Sequence, residues 1–213
     1  GVTDLSGNTM DQDGDGICGE FPQDVYTFSF VVDTTPPTAP GDLSVAEDTG
    51  SPGDAITTDT SLVFTWSASS DLWGVAAYEY RWDAGAWTTA AGMTAEISTS
   101  EGGHTFEVRA VDNVGNLGPA ASLPVAVDLT APEAPTGLRL DGAVFCWDEA
   151  ADANGIWKYQ YRLDGGDWFD TTSRQAFTGL LEGQNALCEV RAVDKAGNAG
   201  PVAGATLTAD YGP

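Results

Sequence analysis

The string Val108-Arg-Ala-Val-Asp-Asn-Val-Gly-Asn116 returns as Val190-Arg-Ala-Val-Asp-Lys-Ala-Gly-Asn198, and this recurrence decides the fold. A second pair lies upstream of it, Tyr78-Glu-Tyr-Arg-Trp-Asp83 against Tyr159-Gln-Tyr-Arg-Leu-Asp164. The residue numbers differ by 82 in the first pair and 81 in the second, which marks a duplicated unit of about 80 residues. A unit of that size buries a core of its own. Tandem small domains of this kind set spacing more often than they catalyse.

Strand signals fill each copy. Ser61-Leu-Val-Phe-Thr-Trp66, Thr105-Phe-Glu-Val-Arg-Ala-Val111 and Leu187-Cys-Glu-Val-Arg-Ala-Val193 alternate apolar and polar residues, and Gly, Pro, Asn and Asp break the runs. No segment keeps a helical period over ten residues. Counting in twos predicts an inward face of Leu62, Phe64, Trp66, Tyr80, Phe106, Val108 and Ala110 in the first copy. Its counterpart in the second is Phe145, Trp147, Tyr161, Val190 and Ala192. Short strands at this spacing with one buried Trp per copy predict an all-β fold of tandem β-sandwiches.

Asp-x-x-Gly-Asn has a local logic: the Asp carboxylate accepts N–H groups of the turn and Gly takes the position that needs positive φ. It is read as a hairpin turn. A third copy occurs at Asp4-Leu-Ser-Gly-Asn8, which makes Val25–Val32 the last strand of a preceding domain. On this reading the chain is an excerpt of something longer. Two Pro-rich joints, Asp33-Thr-Thr-Pro-Pro-Thr-Ala-Pro40 and Asp128-Leu-Thr-Ala-Pro-Glu-Ala-Pro135, cannot enter a central strand and favour stiff extended backbone. The expected domains are residues 38–128 and 133–213, with 1–32 a fragment that packs upstream, on the first full repeat, or on a neighbouring molecule by donating strand 25–32.

Acidic residues outnumber basic ones 32 to 8, a formal charge of −24. Nucleic acid and anionic membranes are thereby disfavoured as partners, while divalent cations and a saline exterior suit the chain. No run approaches a membrane span. Cys18, Cys146 and Cys188 make neither a disulfide framework nor a zinc pattern, and strand parity puts Cys146 outside and Cys188 inside. A bridge between these two and a reduced core thiol at Cys188 both stay open at this point.

The chemistry-bearing motif is Asp11-Gln-Asp-Gly-Asp-Gly16, followed by Glu20 and Asp24. Carboxylates at alternate positions closed by Gly form the first half of a calcium loop. Asp11, Asp13 and Asp15 wrap the ion, the carbonyl of Ile17 adds a ligand, and Glu20 or Asp24 must replace the bidentate acid that Pro22 cannot supply. Ca²⁺ is the expected cofactor, without the helices of an EF-hand.

Other constellations fail. His104, the single histidine, sits in a turn before a strand and is expected at the surface. No pair of acids is singled out for glycoside hydrolysis. Trp73 and Trp157 lie in or beside equivalent loops; parity with Tyr159 and Tyr161 predicts a buried Trp157, which leaves Trp73 as a weak glycan-binding candidate.

The Trp strand, the Tyr-x-Tyr-Arg strand and Val-Arg-Ala-Val-Asp-x-x-Gly-Asn, with Asp-x-Thr-x-Pro joints, resemble the bacterial immunoglobulin-like and fibronectin type III-like repeats of large surface proteins. The resemblance covers residues 33–213, and residues 1–32 look like the tail of a different bacterial Ig-like domain of the S-layer-associated type. In the penultimate strand the usual aromatic is Phe106 in one copy but Cys188 in the other. The resemblance implies a non-enzymatic extracellular or cell-surface segment: an adhesin, spacer or filament subunit, rigidified by calcium, whose partners are neighbouring domains or identical subunits. The alternative is a set of accessory modules of a secreted polysaccharide-degrading enzyme, with glycans as partners.

Overall fold

A computed structural model describes residues 29–46 and 48–212. The chain divides into two units, Gly1–Thr34 and Thr35–Pro213. The second unit contains both repeats as all-β modules, and no helix occurs among the described residues.

The first module runs β1 (Gly41–Val45), β2 (Ile56–Thr57), β3 (Ser61–Ser67), β4 (Val75–Trp82), β5 (Thr88–Thr89), β6 (Thr94–Ser98), β7 (Gly102–Asp112) and β8 (Ala121–Val127). One sheet has the order β1-β3-β6 and the other β2-β8-β7-β4-β5. The second module runs β9 (Arg139–Asp141), β10 (Val144–Cys146), β11 (Ile156–Leu163), β12 (Phe169–Thr171), β13 (Gln175–Phe177), β14 (Asn185–Asp194) and β15 (Ala203–Thr208). Its sheets have the orders β13-β10-β9 and β12-β11-β14-β15. The two repeated strings are the central pair of each larger sheet, β4 with β7 and β11 with β14, all antiparallel.

Alternation places the core as expected. Leu62, Phe64, Trp66, Phe106 and Val108 are buried in the first module, with Tyr80 packed on their rim. Phe145, Trp147, Cys188, Val190 and Ala192 are buried in the second, with Tyr161 on the rim. Phe64 and Phe106 stack face to face, 4.0 Å between centroids. The Trp that follows the turn after the Tyr-x-Tyr-Arg strand of each repeat serves the outside instead. Trp87 lies under the guanidinium groups of Arg81 and Arg109, and Trp168 under those of Arg162 and Arg191, so the polar face of each central strand pair is also ordered.

Cys146 and Cys188 are both free thiols. Cys188 is fully buried, and burial, helped by the charge of Asp164, pushes its thiol up to about 11. It is a small core residue, inert at neutral pH.

Each module turns after its Tyr-x-Tyr-Arg strand on two residues with positive φ. These are Asp164 (50°) and Gly165 (71°) in the second module but Asp83 (49°) and Ala84 (57°) in the first. A Cβ in the left-handed region costs about 1–2 kcal/mol, against about 0.5–1 kcal/mol of extra chain entropy lost by Gly. Ala84→Gly is therefore expected to stabilise the first module by about 0.5–1 kcal/mol, read as a rise in the urea midpoint at unchanged slope.

Two positional expectations change. Trp157 is partly exposed, not buried. The ladder between β11 and β14 slips between Ile156 and Lys158, so Ile156 keeps the inner face and Trp157 moves out of the parity of Tyr159. Residues 29–32 of the expected strand 25–32 carry no strand, and Phe30, Val31 and Val32 are exposed. Residues 25–28 lie outside the described residues.

Candidate functional site

The most elaborate constellation of the second unit lies where the two modules meet. The repeat is not exact here: Asp33 and Asp128 are 95 residues apart but Trp66 and Trp147 only 81, so the first module carries fourteen more residues before its Trp strand. Where β9 and β10 are joined by a tight turn at Gly142, the first module has the long connection between β1 and β3.

That inserted connection is anchored at its base. Ile56 and Thr57 pair in parallel with Ala126 and Val127, and the Asp128 amide donates to the Thr57 carbonyl at 2.9 Å. Its tip reaches the Asp194–Asn198 turn of the second module. The Ser51 amide donates to the Lys195 carbonyl at 2.9 Å, and the Thr49 hydroxyl donates to the Ala196 carbonyl at 2.7 Å. Gly50 lies between these contacts with φ +74°, and a Cβ there would stand 2.3 Å from the Lys195 carbonyl oxygen. Only glycine fits so close an approach of two backbones.

The Pro-rich joint is held from the other side. Asn154 donates through Nδ2 to Oδ2 of Asp128 at 2.9 Å, and Asn198 donates through Nδ2 to the Asp128 carbonyl at 2.9 Å. The joint's Pro132 is fully buried, and Gly200 leaves room for its carbonyl. Together these contacts tie module to module through backbone groups that have little freedom to move.

Three carboxylates meet in this joint. Asp128, Asp152 and Asp194 each offer an oxygen within 4.8 Å of the others, with Asp128 and Asp194 buried. Asp194 accepts the amides of Gly197 and Asn198 and the Asn198 side chain, and Asp152 accepts the amides of Asn154 and Gly155. Burial, with the charge of Asp128 beside it, raises the pKa of Asp194 even against those hydrogen bonds. An all-oxygen set of this kind suits a hard divalent cation such as Ca²⁺. Asp194 was visible in the sequence as a turn residue and Asp128 as the start of a Pro-rich joint; their meeting with Asp152 follows from the topology. The corresponding sequence positions of the preceding repeat are Asp33, Asp71 and Asp112.

The predicted calcium ligands Asp11, Asp13, Asp15, Ile17, Glu20 and Asp24 lie outside the described residues. Trp73 is half-exposed on the loop after β3, where its amide donates to Asp71 and its carbonyl accepts from Asn113. The Asp-x-x-Gly-Asn turn has the expected chemistry: Oδ1 of Asp112 accepts the amides of Val114, Gly115 and Asn116.

His104 departs from the surface position expected of it, since its side chain is only 13% exposed and stacks on Trp82. Nδ1 lies 2.8 Å from Asp83, while Nε2 lies 3.1 Å from the Thr99 hydroxyl and 3.0 Å from the Ser100 carbonyl. The order Asp–His–Thr has the outline of a catalytic triad, but the chemistry runs the other way. The Ser100 carbonyl can only accept, so Nε2 donates to it and lacks the free lone pair a general base needs; burial disfavours the imidazolium, yet Asp83 and that carbonyl outweigh it and raise the pKa. The pair contributes to folding through a raised folded-state pKa. That stabilisation is full below the unfolded value of about 6.5 and is lost as pH rises through the folded pKa. Between pH 6 and 9 the melting temperature of the native chain is expected to fall more than that of His104→Gln, as followed by circular dichroism.

Residues 27–129 match the model of the bacterial Ig-like domain. Chitinase A1 of Niallia circulans is 33% identical over 185 residues, which cover 78% of this chain and 25% of that enzyme. The chain thus spans about a quarter of the length of the curated relative it matches. Among solved structures, the fibronectin(III)-like modules of Clostridium thermocellum CbhA superpose with a TM-score of 0.46 at 16% identity, over 79% of this chain and 94% of theirs. The FN1–FN3 domains of chicken CNTN1 give 0.42 at 20% identity, over 82% and 68%.

Proposed function

We propose, from the match of residues 27–129 to the bacterial Ig-like domain, that the chain is a stiff, non-catalytic spacer of a secreted or cell-surface protein. The observation that carries this reading is the joint. A flexible linker needs no inserted connection docked on the next module, whereas Thr49, Ser51, Asn154 and Asn198 all bond across this one. No helix among the described residues is long and apolar enough to cross a membrane. Single-molecule energy transfer between dyes on the first and second modules tests the proposal. One narrow efficiency peak is expected, and a broad distribution like that of a Gly/Ser-linked control would overturn it.

Calcium belongs to this reading as a rigidifying ion held by the Asp11–Asp24 loop, where alternating carboxylates repel one another without it. A melting curve unchanged by chelator, with no metal in the purified chain, would sink that part. Adhesion, or filament building by strand 25–32, would follow from the same spacer, and a strictly monomeric chain at high concentration would dispose of the filament.

A second reading is favoured by the similarity to chitinase A1. In it the modules are accessory parts of a polysaccharide-degrading enzyme, which place or hold the enzyme on its substrate.

A further inference from the structure

The two modules share a scaffold but differ on one outer patch, and that difference assigns a site. At equivalent positions of the central strands, Tyr78, Tyr80, Arg81 and Arg109 of the first module are retained as Tyr159, Tyr161, Arg162 and Arg191. Around them Ala76, Ala77, Glu79 and Thr89 become Trp157, Lys158, Gln160 and Asp170. The bulge between Ile156 and Lys158 turns Trp157 outward, where it lines two hollows and the Lys158 ammonium covers one face of its ring, 4.2 Å from the centroid. One, of about 440 Å³, is walled by Gly50 of the inserted connection together with Gln160 and Arg191. The other, of about 470 Å³, is walled by Asp170 and the two threonines after it. Lys158 lines both.

The polar groups between the hollows are already fixed in place. Lys158 donates to Asp170 at 2.6 Å, Gln160 donates to the other oxygen of Asp170 at 2.8 Å, and Arg191 donates through Nε to Gln160 at 2.8 Å. In the first module the matching arginine meets a carboxylate, Glu79, at 2.7 Å; here it meets a neutral amide. A partly exposed indole beside ordered donors and acceptors of both kinds fits the apolar faces and hydroxyl edges of a sugar chain. The formal charge of −24 repels a polyanion.

We propose that the outer face of the second module, around Trp157, Lys158, Gln160, Asp170 and Arg191, binds a neutral polysaccharide, with a sugar ring on the face of Trp157 opposite the Lys158 ammonium. This rests on the accessory-module reading, not on the spacer reading. It also replaces Trp73 with Trp157 as the sugar-stacking residue.

Native affinity electrophoresis is suited to so acidic a chain, run in gels containing glycol chitin, hydroxyethylcellulose, β-glucan or galactomannan. The full chain is expected to be retarded by at least one of these. The double variant Trp157→Ala/Lys158→Ala, which installs the pair found naturally at Ala76 and Ala77, is expected to need about tenfold more polysaccharide for the same retardation. Trp73→Ala is expected to run as the native chain does. Matching near-ultraviolet circular dichroism outside the lost Trp signal shows that the variants fold. Retardation by no neutral polysaccharide overturns the site and, with it, accessory modules that hold an enzyme on its substrate. Undiminished retardation of the double variant overturns the site alone. Neither outcome bears on the stiffness of the joint.

Discussion

Phe106→Ala is expected to destabilise the first module by about 3–5 kcal/mol, which is most of the stability of a domain this size. Phe106 is fully buried, stacks on Phe64 and lies 5.7 Å from Tyr80, so the truncation leaves a void walled by rings that cannot collapse into it. The matching position of the second module gives an internal control. Cys188 is equally buried, but Cys188→Ala removes one sulfur atom and is expected to cost only about 1 kcal/mol. Urea unfolding followed by amide NMR signals separates the modules. The first-module transition should shift strongly in Phe106→Ala while the second-module transition stays in place. Comparable losses in the two variants would show that the aromatic stack is not what holds the first core.

Gly50→Val is expected to leave both cores intact and to undo the joint. A Cβ at this position would stand 2.3 Å from the Lys195 carbonyl oxygen, 2.6 Å from the Ala196 carbonyl carbon and 2.6 Å from the Gly197 amide nitrogen. All three are backbone atoms of a turn whose amides are already committed to Asp194, so the neighbour cannot yield. The φ of +74° adds about 1–2 kcal/mol of strain for a residue with a side chain. The inserted connection must then lift off, taking the Thr49 and Ser51 bonds with it. The urea midpoint of the second module should hardly move, while rotational diffusion should change from one slow tumbling to two faster, partly independent ones. Unchanged tumbling would mean that the connection is incidental and that Asn154, Asn198 and the prolines alone fix the joint.

Much of this was legible in the sequence because period-two burial is a local property. Every residue assigned to the inward face lies in the core or on its rim, and the Asp-x-x-Gly-Asn turn closes on its own amides as its composition implies. Trp157 was misread because parity holds only while the ladder is regular, and a bulge carries no composition signal of its own. The joint was missed for a different reason. Its acids come from three separate segments, and the docked connection showed only as a change of repeat offset from 95 to 81. Such a change says where a module departs from its twin, but only the fold says what the extra chain touches.

The two modules of the second unit are expected to move as one body. Residual dipolar couplings measured on the backbone amides of the full chain test it most directly, since each module reports its own alignment. A single alignment tensor is expected to fit the amides of strands β1–β8 and β9–β15 together. Two tensors of different magnitude would contradict it, and with it the reading of this chain as a stiff spacer.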